Sequence, residues 1–312
     1  MKKIIRKIIW GTTLNQEYIC LPCNIVAHLS SVFLAKDGDR TADVNISDKH
    51  LFLGYKPVLI ALRSVDVKNF NGGLLIRFSQ NNCLLGTINV LPVRNAEYNW
   101  PEIILCQAIQ GKSHLLPFPS IILSRLYDRL RYKKQGNISL PGNLYTQVKI
   151  AYSYPRKICL ASLHENDLYN VFPTDLHGKI GGSKYYISLR TKGKACRQVL
   201  NLKQISLCEI EASSYRQAYG MGPNHMKNLR PASEFDYQSQ YSSRYGNLLL
   251  PSVISYLELS LLDSVQVGIH TILKFDVVDS FQVKKGEPLM HIHRDYAAWR
   301  EKNNIESKFL LR

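Results

Sequence analysis

Short apolar runs broken by Gly, Asn and Pro dominate the first half of the chain: VLIALRSV at 58–65, LLIRFS at 74–79, LLGTINVL at 84–91 and EIILCQAI at 102–109, with a further run at 49–54. Runs of this length between turn-forming residues predict strands. Residues 1–150 therefore read as a β-rich domain. The pattern changes at 120–134, where Ile122, Leu123, Leu126 and Leu130 share one face while Arg125, Arg129 and Arg131 spread around the rest. That is the spacing of an amphipathic helix. A polar stretch, KQGNISLPGN, then separates the halves.

Residues 151–312 alternate differently. A strand at 157–163 is followed by a polar loop, LYNVFPTDLHGKIGG at 168–182, then a strand at 184–190, a helix at 193–202, a strand at 205–210 and a helix at 213–220. After a long loop to Pro251, two long β segments occupy 256–267 and 270–283, and a last helix lies near 293–302. Strands joined by few helices predict a β-rich α+β fold with a closed or partly closed barrel, not a doubly wound sheet. No glycine-rich dinucleotide fingerprint follows a strand, which argues further against a Rossmann domain. The β-rich first half leaves open a second, diverged barrel.

Composition narrows the partners more than the fold. With 312 residues and 45% apolar content the chain has room for one large domain or two ordinary ones. The formal charge of +16 favours anionic partners: nucleotides, nucleic acid or phospholipid surfaces. Seven scattered cysteines, most within apolar runs, suit buried thiols in a reducing cytoplasm rather than a disulfide framework. The opening MKKIIRKIIW has the basic start of a signal peptide, but Arg6 and Lys7 interrupt its apolar stretch, and it is read as mature sequence. No apolar run approaches the roughly 18 residues of a membrane span, so an integral membrane protein is not expected.

Three segments could carry chemistry. In SLRTKGKACRQVL (188–200) a strand ends at Arg190 and Thr191, and a helix begins after Gly193. Unpaired N–H groups at the helix start, with Arg190, Thr191 and Lys194, would make a phosphate cradle; a solvated basic turn capping an ordinary helix is the plainer alternative. In the 168–182 loop, Asn170, Thr174, Asp175 and His177 could address the edge of a flat heteroaromatic ring, although each is also an ordinary turn residue. In DSVQVGIHTILKF (263–275), Gly268 interrupts a β run beside His270, a placement that suits either an active-site histidine on a bulge or a buried structural one.

The order of these segments resembles the flavin reductase-like members of the FMN-binding split-barrel superfamily. The stretches that carry the resemblance are KICLASLHENDLYNVFPTDLHG, KYYISLRTKGKACRQV and YLELSLLDSVQVGIHTILKFDVV, spanning about 155–295. It implies an FMN-binding split β-barrel in the C-terminal half and a homodimer with flavin near the subunit interface. Residue by residue it places Asn170, Thr174 and Asp175 at the cofactor, the last two near the isoalloxazine ring or ribityl chain. It places Arg190, Thr191 and Lys194 at the phosphate, and His270, the expected catalytic residue, at the flavin or nicotinamide face. The sequence departs from the pattern in a hydroxyl-poor loop, where only Thr174 supplies a hydroxyl, and in having Ile269 where the family carries Asp.

The expected activity is thus an NAD(P)H-dependent flavin reductase, with FMN as cofactor and NADH or NADPH as donor, in the cytoplasm and without membrane association. The alternative is a non-catalytic split-barrel module whose basic surface engages nucleic acid or a protein. Cys20-Leu-Pro-Cys23 lacks a second pair to complete a zinc site. His291 and His293 alternate on one strand face, a geometry open to metal binding, but with no obvious carboxylate partner no metal site is expected; His225 in YGMGPNHMKNL is likewise left without a role. The basic stretch 125–134 suits the outer face of a helix as well as a nucleic-acid contact.

Overall fold

A computed structural model describes residues 2–25, 30–36, 43–67, 73–93, 98–131, 139–180, 182–237, 240–305 and 307–311. Helix α1 (Lys2–Trp10) opens the chain and strand β1 (Tyr18–Pro22) follows. The first half then builds β2 (Ser31–Lys36), β3 (Val44–Asn45), β4 (His50–Tyr55), β5 (Val58–Arg63), α2 (Ser64–Val67), β6 (Leu74–Gln80), β7 (Cys83–Pro92) and β8 (Ile103–Ser113), and closes with α3 (Phe118–Arg131) and α4 (Leu144–Ala151). Residues 132–134 of the basic stretch lie outside the described residues.

The second half contains β9 (Arg156–Lys157), β10 (Cys159–Glu165), β11 (Leu168–Thr174), β12 (His177–Lys179), β13 (Tyr185–Arg190), α5 (Lys194–Leu202), β14 (Gln204–Ile210) and α6 (Tyr215–Gly220). Short pieces β15 (Arg230–Pro231), β16 (Gln240–Tyr241) and β17 (Leu248–Leu249) precede the long hairpin β18 (Val253–Val267) and β19 (His270–Gln282), then β20 (Leu289–His293) and α7 (Arg294–Lys302). Two main sheets result, both antiparallel. One has the order β3-β2-β6-β7-β8-β5-β4, and the other, curled as a half-barrel, has the order β12-β13-β19-β18-β14-β10-β11-β15.

The polar loop expected at 168–182 is mostly strand. Asn166 and Asp167 adopt left-handed φ values of 48° and 61°, so they form the tight turn that folds β11 back on β10. Pro173 is tolerated because β11 pairs with β15 only at Leu168 and Tyr169, leaving an edge further along where no donor is required. Turn-forming composition misled because three of those residues sit on an edge strand.

Each sheet covers its own core. Ile60, Leu62, Ile76, Phe78 and Ile88 pack inside the first, while Ile187, Leu189, Leu207 and Phe275 pack under α5 in the second. The two halves are not separated at residue 150, however. β20 pairs with β1 on one side and β9 on the other, and Ile292, Tyr296 and Ala297 lie in the core of the first half. A further cluster, including Leu53, Leu59, Leu105, Tyr186 and Ile272, fills the seam between the sheets.

Candidate functional site

The Arg190 turn is built by strand pairing. Arg190 stands opposite His270 at the end of β13 and β19. Thr191 N–H donates to Ile269 O (3.0 Å), and its hydroxyl meets that of Thr271 (3.0 Å). Gly193 N–H closes the turn on Arg190 O at 2.8 Å, after which α5 begins. Gly193 occupies the cap position with extended backbone and no side-chain cap, and α5 has no acidic residue in its first turn. A Cβ at Gly193 would lie 3.0 Å from Arg190 O and 3.4 Å from His225 O. Glycine is thus required by close backbone approach. Arg190 and Lys192 are exposed, Thr191 and Lys194 half-buried, and among the described residues no carboxylate pairs with these cations.

Asn170 serves this turn from inside. It is 1% exposed, and its Nδ2 donates to Gln198 Oε1 on α5 (2.8 Å) and to Asn224 O (3.2 Å). Asn224 in turn donates from its Nδ2 to Val171 O (2.8 Å). Asn170 thus braces β11 against α5 and the 222–226 turn.

A second neighbourhood lies where β11 ends. Ile158, Pro173, Thr174, Asp175, Tyr219 and His291 line a cleft of about 120 Å³. Asp175 accepts hydrogen bonds from His291 Nε2 (2.8 Å) and from Tyr152 Oη, while Tyr219 Oη meets His291 Nδ1 at 2.8 Å. Tyr55 Oη extends the chain to Tyr152 Oη at 2.6 Å. Arg156 lies over the rings of Phe52 and Tyr152, 4.6 and 5.4 Å from their centroids. Burial works to raise the Asp175 pKa, yet the hydrogen bond and charge of His291, the Tyr152 hydrogen bond and the Arg156 charge outweigh it and hold it at about 2. Burial pushes the Tyr152 and Tyr55 phenols upward.

His270 links the two neighbourhoods from within the wall. It is 1% exposed; its Nε2 accepts from Tyr55 N–H (3.2 Å), which leaves Nδ1 to donate to Ser188 Oγ (3.3 Å). Burial, reinforced by the Arg190 charge, lowers its pKa to about 4. Both ring nitrogens are thus engaged inside the protein. The charges of Arg190 and Asp175 both act on His270 and on Tyr55.

The structure thus brings Thr174 and Asp175 together in one cleft, groups Arg190, Thr191 and Lys194 at one turn, and sets Asn170 and His270 behind them. Tyr219 and His291 line the cleft from far away in sequence, each within a segment that the sequence singles out, whereas Tyr55, Tyr152 and Arg156 stand behind Asp175 with no local motif to mark them. His177 is held by Tyr185 Oη and Lys157 O. His293 caps α7 by accepting from Asp295 N–H. Cys20 and Cys23 are free thiols, and no described helix is long and apolar enough to cross a membrane.

No family model and no curated protein matches the chain. Among solved structures, the NADH:FAD oxidoreductase SgcE6 of Streptomyces globisporus is similar, at 12% identity and a TM-score of 0.44 over 52% of this chain and 96% of that one. About half of the chain is similar in fold to flavin reductases. BorF, the flavin reductase component of a bacterial two-component tryptophan halogenase, is 11% identical over 54% of this chain and 98% of its own, with a TM-score of 0.43. The flavin reductase PheA2 is 11% identical over 54% and 97%, at 0.41.

Proposed function

We propose that the chain is an FMN-binding oxidoreductase that takes hydride from NADH or NADPH and passes electrons on to an acceptor. The observation that carries this reading is the Arg190 turn: a glycine-capped helix start with exposed cations and, among the described residues, no carboxylate to neutralise them. Backbone N–H groups and a positive helix end suit a phosphomonoester, and Arg190 with Lys194 adds charge-assisted donors. Thr191 offers its hydroxyl to the same phosphate.

Thr174 and Asp175 would hold a polar edge of the ring or the ribityl chain. A cleft of about 120 Å³ is below the roughly 300–1,000 Å³ of sites that enclose a drug-sized molecule, so it receives an edge and leaves one face open. FMN, when bound, supplies hydride acceptance and onward electron transfer. The protein's own contributions are anchoring and orientation. His270 is a positioning residue that fixes the Tyr55 backbone to β13 and β19, and Asn170 fixes the start of α5.

Absorbance spectra of purified protein with added FMN, followed by NADH and NADPH oxidation, test the reading. Flavin retained through gel filtration, with binding and turnover lost in the Arg190→Ala, Lys194→Ala double variant, supports it. Absence of flavin binding at micromolar concentration overturns it.

A further inference from the structure

The two sheets share one plan. Count the seven principal strands of each half in chain order: β2 to β8 in the first, and β10, β11, β12, β13, β14, β18 and β19 in the second. Both sheets then run second, first, fifth, sixth, seventh, fourth, third. The agreement reaches single residues. β5 and β13 are each six residues long and end alike, Ile60-Ala61-Leu62-Arg63 against Ile187-Ser188-Leu189-Arg190.

Each of these strands pairs with its seventh strand in the same register. Arg63 lies opposite Ile103 and Arg190 opposite His270, while Leu62 faces Ile104 and Leu189 faces Thr271. The next residue makes the same backbone bond in both halves: Ser64 N–H to Glu102 O at 3.1 Å, Thr191 N–H to Ile269 O at 3.0 Å. Each chain segment then enters a helix, α2 or α5. Leu59 and Tyr186, which correspond, meet in the seam cluster, as do Leu105 and Ile272. Each half therefore offers the same strands to the other, as subunits do across a two-fold axis.

The two arginine turns share no residue after the arginine, and one of the differences bears directly on anion binding. Three residues after Arg63 stands Asp66, which grips the guanidinium at Nε (2.7 Å) and Nη2 (2.8 Å). Three residues after Arg190 stands Gly193. α2 carries Asp66 in its first turn, whereas α5 has no acid there. In the first half, the protein's own carboxylate occupies the fork that an anion would need.

We infer that the chain is an internal pseudo-dimer whose first half acts as a built-in partner subunit, and that it holds one phosphomonoester site, at Arg190, rather than two. The first half braces that site: Tyr55 N–H holds His270, which stands opposite Arg190. The identity of the anion as FMN rests on the proposed function; the internal symmetry does not.

Light scattering on the intact protein without ligand is expected to return the mass of one chain. Titration with FMN is expected to give one equivalent per chain, weakened about tenfold or more by Arg190→Ala, which removes a charge-assisted fork, and changed less than about twofold by Arg63→Ala. Arg190 is exposed, so its replacement leaves the fold intact. The mass of two chains, two equivalents of FMN, or equal losses in the two variants would overturn the inference. Should the wild type bind no FMN, the flavin reading falls by itself. The inference is then decided by the mass, and by whether inorganic phosphate shifts the amide resonances of the Arg190 turn alone or of both turns.

Discussion

Asp175 keeps its charge in a largely closed place because two donors and a guanidinium surround it. Its pKa of about 2 lies below the roughly 3.9 of an unfolded aspartate, so it stabilises the fold fully above about pH 4 and less as pH falls toward 2. Asp175→Asn is expected to cost about 1–3 kcal/mol at neutral pH, since Tyr152 and His291 lose their charged acceptor. Urea unfolding should show that deficit at pH 7 and a smaller one at pH 2.5.

The histidines act at higher pH. Burial is the main cause that holds His50, His177 and His270 at about 4 and His293 at about 3. An unfolded histidine takes its proton near 6.5; these remain neutral in the fold, so stability is complete above about pH 6.5 and declines toward pH 4. The urea midpoint is expected to fall between pH 7 and pH 5, before most carboxylates titrate. An unchanged midpoint over that range would contradict the buried neutral rings.

At the scale of elements, the β18–β19 turn is pressed against the β4–β5 turn. Gly268 has a φ of +62°, and a Cβ there would meet Lys56 O at 2.2 Å and Pro57 Cδ at 2.4 Å. Ile269 N–H donates to the same Lys56 carbonyl at 3.1 Å. Gly142 has a similar φ, +60°, but open space around it. Gly142→Ala is therefore expected to cost only the left-handed penalty, about 1 kcal/mol, while Gly268→Ala costs distinctly more because the two turns must part. Parallel urea titrations measure the difference. Equal costs would mean that the turns do not bear on one another.

At the scale of the molecule, the ends of the chain stitch the halves together. β20 lies between β1 and β9, and α7 sends Tyr296 and Ala297 into the core of the first half. A fragment beginning at residue 155 would expose Ile292 and Tyr296 and leave one edge of β20 without its partner. It is expected to show no cooperative thermal transition by circular dichroism, whereas the intact chain melts in one step. Two separate transitions in the intact chain would show instead that the halves fold independently.

Local patterning determined much of this protein. Apolar runs between turn residues specify most of the strands, and the Leu-Arg-Thr-Lys-Gly sequence specifies a strand, a tight turn and a helix start, because these depend on neighbours a few residues apart. The edge strand β11 escaped because asparagine and proline are read as loop when the pairing partner is unknown. Only the tertiary structure decided that Asn170 and His270 face inward, and that Asp175 meets His291 across a separation of 116 residues. The shared plan of the halves was hidden for a related reason: it resides in strand order and backbone register, which very different side chains can satisfy. At the paired arginines, what separates a neutralised turn from an open one is the presence of Asp66 in one and Gly193 in the other.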